Sequence, residues 1–331
     1  MTGIAGEGLG AGRLMDPKTG GLMDPKWRDK KVAVLLGGPS AEQEISRLTG
    51  TAVVQALRER GYAVVPIELD TNGAWIAQIR ETDVVFIALH GKFGEDGAVQ
   101  GVLELLGVPY TGSAVLASAL AMNKPMAKRV WQVHGLPTPP WQVIDKDAPW
   151  SLTLPYPVVV KPSAEGSSVG VSIVRSPETL HRALAEAFRY DPQILLESYI
   201  PGKEVTVGIL GEQVLGAMEV IAKGEFHSYE VKYTAGREEF LLPAPLLPPV
   251  YERVLAVALA AHRALGCSGY SRVDTRVNAQ GEVFILEVNS LPGLTALSYL
   301  PRIAAYAGLN YGDLVEAILQ QATLHIQRVG T

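Results

Sequence analysis

At 331 residues and 47% hydrophobic, the chain is too long for one ordinary core and apolar enough to build two or three. Its formal charge of −5, with no clustered Lys/Arg run, argues against a nucleic-acid or membrane-surface partner. The single cysteine, Cys267, excludes an intrachain disulfide framework and fits a reducing compartment; no stretch has the make-up of a spanning helix or a signal peptide, so the expected location is the cytoplasm.

Residues 1–30 are glycine-rich and carry the near-repeat Leu14-Met-Asp-Pro-Lys18 and Leu22-Met-Asp-Pro-Lys26 without hydrophobic periodicity, which reads as a disordered extension. Lys31–Gly38 is a short buried strand ending in a glycine turn. A helix over Ser40–Arg60 follows, with Ile45, Leu48, Val53, Ala56 and Leu57 at helical spacing. Strands at Tyr62–Leu69 and Val84–Leu89 and a helix at Ala98–Leu106 complete a β/α alternation that predicts a parallel, doubly wound sheet. Ligands of such sheets sit beyond the carboxyl ends of the strands, where Glu42 and His90 fall. The bland readings are a helix first-turn carboxylate for Glu42 and a structural hydrogen-bonder for His90.

A helical stretch over Ser113–His134 is interrupted at Pro125, predicting a restart with Asn123 as N-cap. The proline-rich Leu136–Trp141 reads as a linker or edge. Strand Pro157–Lys161, the loop Pro162–Gly170 and strand Val171–Val174 make a hairpin, followed by helix Pro177–Tyr190 and strand Gln193–Ile200. The loop is not a Walker loop, yet its backbone NH groups and hydroxyls could lie over phosphates with Lys161 as point charge; the plain alternative is a surface hairpin. Glu197 and Glu204 could receive an adenine amino group and a ribose hydroxyl.

Glu204–Leu210 and Gln213–Ile221 pair as antiparallel strands, and Lys223–Phe240 is too long for a plain connector, which predicts a lid or binding loop. After the helix Val250–Leu265, residues 270–293 read as two strands joined at Asn278-Ala-Gln-Gly281. In an even-length hairpin Arg272 lies opposite Glu287, and Arg272, Asp274, Ile285, Glu287 and Asn289 share one face. Three oxygen donors beside a guanidinium suit a hard cation carrying phosphates. The competing reading is a solvated cross-strand pair, against which Glu287 sits within an apolar run. Asp313–Gln327 is a closing helix.

The order of these features resembles the ATP-grasp ligases and, within them, the D-alanine:D-alanine ligase family, over about residues 31–328. The resemblance rests on Leu36-Gly-Gly-Pro-Ser-Ala-Glu-Gln-Glu-Ile-Ser46, Ala88-Leu-His-Gly-Lys-Phe-Gly-Glu-Asp-Gly97, Pro109-Tyr-Thr-Gly-Ser113, Val160-Lys-Pro-Ser-Ala-Glu-Gly-Ser-Ser-Val-Gly170, Lys232-Tyr233 and Glu287-Val-Asn-Ser-Leu-Pro-Gly293. It implies an N-terminal α/β substrate domain with a doubly wound parallel sheet (31–112). An ATP-grasp pair with antiparallel sheets follows, a central domain (113–196) and a C-terminal domain with metal site and lid (197–331).

The implied reaction is ATP-dependent joining of two D-alanines through a D-alanyl phosphate, for peptidoglycan precursor synthesis. Lys124, Lys161, Glu165, Gly166, Ser168 and Phe226 would surround the phosphates and base, with the adenine edge at Glu197, Tyr199 and Ile200 and the ribose at Glu204. Asp274, Glu287 and Asn289 would hold two Mg²⁺ or Mn²⁺, and a monovalent cation is allowed. Glu42, with Ser167 and Tyr233, would take the first ammonium, and His90 would lie near its carboxylate. Lys232, Ser298 and Tyr299 would bind the second amino acid, while Arg272 and the Gly293 NH would steady the oxyanion. The family also implies a homodimer. Two departures stand out: Phe226-His-Ser-Tyr229 in the lid, and Leu297 near the second site. The rivals are another ATP-grasp carboxylate-amine ligase and a non-catalytic nucleotide-binding regulator.

Overall fold

The computed structural model describes residues 25–222 and 238–326. At the N-terminal end, β1 (Lys31–Gly37), β2 (Ala63–Leu69) and β3 (Val84–Ile87) form a parallel sheet in the order β2-β1-β3. Helices α1 (Gln43–Glu59), α2 (Ala74–Ile79) and α3 (Ala98–Leu106) accompany it. Val32–Leu35 are all buried, as a central parallel strand covered on both faces requires. The helix α1 approaches β1 at Gly50, where a Cβ would lie 2.5 Å from the Leu36 Cβ, so only glycine allows this packing distance.

Of the extension expected over residues 1–30, residues 1–24 lie outside the described residues, and the rest is tied to the fold. Trp27 is buried in the N-terminal core, and the Lys26 backbone NH donates to Gln320 Oε1 at 2.8 Å. One indole provides the apolar anchor that hydrophobic periodicity could not reveal.

The middle sheet joins β4 (Trp141–Asp145), β5 (Val158–Pro162), β6 (Ser172–Val174) and β7 (Gln193–Ser198) in the antiparallel order β4-β7-β5-β6, with α6 (Pro177–Ala187) packed against it. The β5–β6 hairpin matches the expectation. The proline-rich stretch expected as a linker or edge leads into β4, the edge strand of this sheet, which pairs with β7 from Trp141↔Glu197 onward. Before it lie α4 (Val115–Met122) and α5 (Lys124–Val133), divided at Asn123, whose side chain accepts from the Met126 NH at 3.0 Å with Pro125 in the first turn. These two helices do not share the core of the middle sheet. Ala117, Ala121, Ala127 and Trp131 pack with the C-terminal helix and strands, so near residue 113 the chain passes from the N-terminal core, which holds Tyr110, into the C-terminal core and not into the middle one.

The third sheet runs β10-β9-β8-β11-β12, from β8 (Lys203–Leu210), β9 (Gln213–Ala222), β10 (Glu238–Leu241), β11 (Tyr270–Val277) and β12 (Val283–Asn289). One side packs on α7 (Pro248–Ala264), and α8 (Tyr299–Tyr306) and α9 (Tyr311–Gln320) join it to the N-terminal core. The closing helix is shorter than the expected 313–327: the chain leaves α9 at Gln320 and Thr323 bridges to Tyr110.

The β11–β12 hairpin departs from the even-length register. Arg272 faces Asn289 and Asp274 faces Glu287, after which Leu286 is an extra residue and Thr275 faces Ile285. This bulge reverses the alternation, so Ile285 joins the core with Val283 and Val288 instead of sharing a face with Glu287. The four polar residues still share one face.

Candidate active site

Two cavities lie along that face. The larger, about 400 Å³, is lined by residues from all three sheets' connecting loops, and the smaller, about 280 Å³, sits between the middle and C-terminal sheets. In the larger, Glu42 stands just before α1, and Ser167, from the β5–β6 loop, donates its hydroxyl to Glu42 Oε1. Ser167 and Ser168 both have positive φ, +49° and +58°, a backbone conformation L-residues adopt at a cost of about 1–2 kcal/mol each. Gly166 lies beneath the same carboxylate, where a Cβ would come 2.9 Å from Glu42 Oε2. The loop is therefore shaped around Glu42. Ser168 is not among the lining residues of either cavity.

Further ties hold this loop. Lys124, at the start of α5, donates from Nζ to the Glu165 carbonyl oxygen at 2.5 Å and lies 3.6 Å from Glu287 Oε2, while Lys92 pairs with the Glu165 carboxylate. His90 lines the cavity with its ring already occupied. Nδ1 lies 3.1 Å from the Leu291 carbonyl oxygen and so carries the proton, and Nε2 lies 2.9 Å from Thr49 Oγ1. That arrangement fixes the turn after β12 and leaves the imidazole no spare nitrogen for a ligand carboxylate.

On the sheet, Arg272 makes two bonds to Asp274, Nε to Oδ1 at 3.0 Å and Nη2 to Oδ2 at 2.9 Å, and Thr206 donates to Oδ1 at 2.6 Å. Burial opposes the Arg272 charge, but Asp274 and Glu287 outweigh it and raise the guanidinium further, so it remains a cation facing the cavity. Its guanidinium carbon lies 5.3 Å from the centre of the Tyr299 ring, whose hydroxyl donates to Glu238 at 2.8 Å. Gly293 and Ser298 close this end; a Cβ on Gly293 would lie 2.8 Å from Ser298 Oγ. Asn289 Oδ1 accepts from the Leu291 NH at 3.1 Å.

The smaller cavity gathers Lys161, Glu197, Tyr199, Ile200 and Glu204. Glu197 is 1% exposed and paired with two lysines: Lys161, and Lys128 at 2.8 Å. Burial alone would raise the Glu197 carboxyl, yet the two ammonium groups hold it down to about 2. Burial lowers Lys128 below the ordinary lysine range, whereas Glu197 and Glu287 raise Lys161 against its burial. Lys128 also donates to Thr138 Oγ1 at 2.5 Å, and Thr138 donates to the Ile285 carbonyl at 2.9 Å. The acid expected to meet an adenine amino group thus comes with its charge already balanced from behind.

Phe226, Lys232 and Tyr233 lie outside the described residues. Asp274 lies under Arg272 and is not among the lining residues of either cavity. Sequence reading missed Lys128 and Arg276, though each had a signal. Lys128 follows Lys124 by four residues on one helix, and Arg276 continues the Arg272, Asp274 alternation along β11.

Family profiles described as D-ala D-ala ligase N-terminus and C-terminus match residues 31–83 with 77–113, and 130–320. D-alanine–D-alanine ligases of Geotalea uraniireducens and Geobacter sulfurreducens are each 53% identical over 304 residues, 91% of this chain and 98% and 96% of theirs. Among solved structures, a D-alanine–D-alanine ligase from Bacillus anthracis complexed with ATP aligns with a TM-score of 0.80 at 35% identity, covering 88% of this chain and 97% of that one. The VanG D-Ala:D-Ser ligase of Enterococcus faecalis aligns at 0.76 and 30% identity, covering 87% and 98%. With the parallel N-terminal sheet, the two antiparallel sheets and the cavities between them, these likenesses establish that the chain belongs to the D-alanine–D-alanine ligase family of ATP-grasp enzymes.

Proposed function

We propose that this enzyme joins two D-alanines at the expense of ATP, supplying the dipeptide for peptidoglycan synthesis. The observation that carries the reading is the hydrogen bond between Ser167 and Glu42, 125 residues apart, inside the cavity that Arg272 and Gly293 also line. A carboxylate fixed there can hold an ammonium, and a guanidinium across the cavity can meet a developing oxyanion.

In this reading ATP fills the smaller cavity, with its base against Glu197, Tyr199 and Ile200, its ribose at Glu204, and its phosphates toward Lys161, Lys124 and the 165–168 loop. The first D-alanine's carboxylate attacks the γ-phosphorus and ADP leaves. The second D-alanine's amino nitrogen then attacks the acyl carbon, phosphate departs, and the amine loses a proton. Neither step needs a protein nucleophile, so the residues orient and stabilise charge. Glu42, held by Ser167 and joined by Tyr233, takes the first ammonium, and His90 fixes the turn at Leu291 beside it. Arg272 and the Gly293 NH face the tetrahedral oxyanion, and Ser298, Tyr299 and Lys232 receive the second carboxylate. Phe226 belongs to the nucleotide side.

Asp274, Glu287 and Asn289 are hard oxygen donors, and among the described residues no three His, Cys, Asp or Glu cluster as an all-protein cage. Two carboxylates and an amide fit Mg²⁺ or Mn²⁺ ions that take their remaining ligands from phosphates. Such ions would neutralise charge on the phosphate oxygens. Activation by a monovalent cation, a homodimer and a cytoplasmic location complete the proposal. No helix among the described residues is long and apolar enough to cross a membrane.

The test is ADP release with D-alanine, L-alanine, D-serine and D-lactate, with product masses. D-Alanyl-D-alanine from D-alanine alone is expected. Its absence overturns the reading, and a mixed product with D-serine or D-lactate at equal rate overturns the restriction to D-alanine at the second site.

A further inference from the structure

Between β7 and β8 the chain crosses from the middle sheet to the C-terminal sheet through Tyr199–Gly202, and this crossing forms part of the smaller cavity's wall. One side chain organises it. Arg276 stands directly opposite Glu204 in the β11–β8 pairing. Its Nε donates to the Ile200 carbonyl at 3.0 Å, its Nη2 to the Gly202 carbonyl at 2.9 Å, and its Nη1 to Glu204 Oε2 at 3.4 Å. Its guanidinium carbon lies 5.6 Å from the centre of the Tyr199 ring. The crossing is pressed onto β11 besides: Gly202 has φ +134°, and a Cβ there would fall 2.1 Å from the Val277 carbonyl oxygen.

We infer that Arg276 is a positioning residue for the nucleotide: it presets the Ile200–Gly202 backbone and the Glu204 carboxylate as one surface that reads the ribose hydroxyls. The inference rests on the reading that ATP occupies this cavity. Only a planar fork with donors on three nitrogens engages two carbonyls and a carboxylate together; a lysine ammonium can meet one or two of them and cannot lie flat along the Tyr199 ring. Arg276 acts through its neighbours. By satisfying both carbonyls it fixes the direction of the intervening backbone, and by holding one oxygen of Glu204 it turns the carboxylate toward the cavity. A free Glu204 rotamer would still attract a hydroxyl, but would lose orientation and with it selectivity for a ribose over a sugar without hydroxyls.

The test uses the full chain and compares ATP with 2′,3′-dideoxy-ATP in the wild type, Arg276→Met, Arg276→Lys and Glu204→Gln. The wild type should prefer ATP by about tenfold or more in kcat/KM. Arg276→Met should raise KM for ATP by about tenfold and reduce that preference to within about twofold, with KM for D-alanine much less affected; Arg276→Lys should recover part of the preference. Glu204→Gln should lose the preference too. An unchanged preference in both Arg276 variants, with Glu204→Gln affected, overturns the role of Arg276 alone. A preference unchanged in Glu204→Gln overturns the ribose assignment, and wild-type turnover without ATP overturns the nucleotide reading itself. Thermal unfolding of each variant is measured alongside, and if Arg276→Met does not fold, Arg276→Lys carries the test: a full wild-type preference there overturns the proposal.

Discussion

The smaller cavity is walled by residues of paired strands, with Lys161 on β5, Glu197 on β7, Glu204 on β8 and Arg276 on β11, and its charges are balanced before any ligand arrives. The larger one is closed by loops and helix ends, with Glu42 ahead of α1, Glu165 to Ser167 between β5 and β6, and Gly293 to Ser298 after β12. Sheet walls are held by ladders of backbone hydrogen bonds; the loop walls are held by a few side-chain ties, Ser167 to Glu42 and Lys92 to Glu165. If the proposed placement of ATP and the two amino acids holds, this difference amounts to a rigid bed for the nucleotide and an adjustable cover for the amino acids.

Three perturbations sharpen the contrast. Glu287 serves both chambers, lining the larger and raising Lys161 of the smaller. Glu287→Gln should therefore lower kcat by on the order of 10³-fold while leaving thermal unfolding close to wild type; steady-state kinetics showing normal turnover would refute its part in the chemistry. Lys128→Met strikes the rigid bed alone. Removing one partner of a buried ion pair should cost on the order of 3–5 kcal/mol in urea unfolding. The pH profile gives the sign. Glu197 has its folded value depressed to about 2 from an ordinary 4.5, so its contribution is full above about pH 4.5 and fades as pH falls toward 2. With one ammonium gone the folded value rises toward 4.5, so the fade should be smaller and end at a higher pH, and an unchanged acid limb would count against the triad. The smallest effect belongs to the adjustable cover: Lys92 is half-exposed, so Lys92→Ala should raise KM for D-alanine only about 2–5-fold, a change that should vanish near 0.5 M salt, since exposed pairs are weak and screened. An effect insensitive to salt would mean the tie is not electrostatic.

Local periodicity and capping chemistry act within a few residues, which is why the β1–α1 unit, the β5–β6 hairpin and the restart at Asn123 were legible in the sequence. What failed depended on partners distant in the chain. Helices α4 and α5 choose the C-terminal core over the middle one, and Lys128 is buried because Glu197 waits there. The polar face of the hairpin could be read from alternation along β11, although the expected opposition of Arg272 and Glu287 was lost, one residue to the turn register and one to the bulge. Glu42 was marked by its place beyond the strand ends and Ser167 by its loop of small residues, but nothing local showed that the two meet. Their pairing was expected from the family resemblance, and Phe226, Lys232 and Tyr233, expected in a lid, fall outside the described residues.

The bulge at Leu286 lets a single strand furnish both chambers: Leu286 turns to the smaller, Glu287 to the larger, and Ile285 and Val288 stay in the core. Consecutive residues of a regular strand could not do this, because they would point to opposite sides. The count of residues between Asp274 and Glu287 is thus a functional quantity in its own right. A hairpin grafted from a relative with a turn one residue shorter or longer would keep every ligand-type side chain in its sequence and yet send the carboxylate into the apolar layer. Chimeras of this region should exchange the turn and the bulge as one piece.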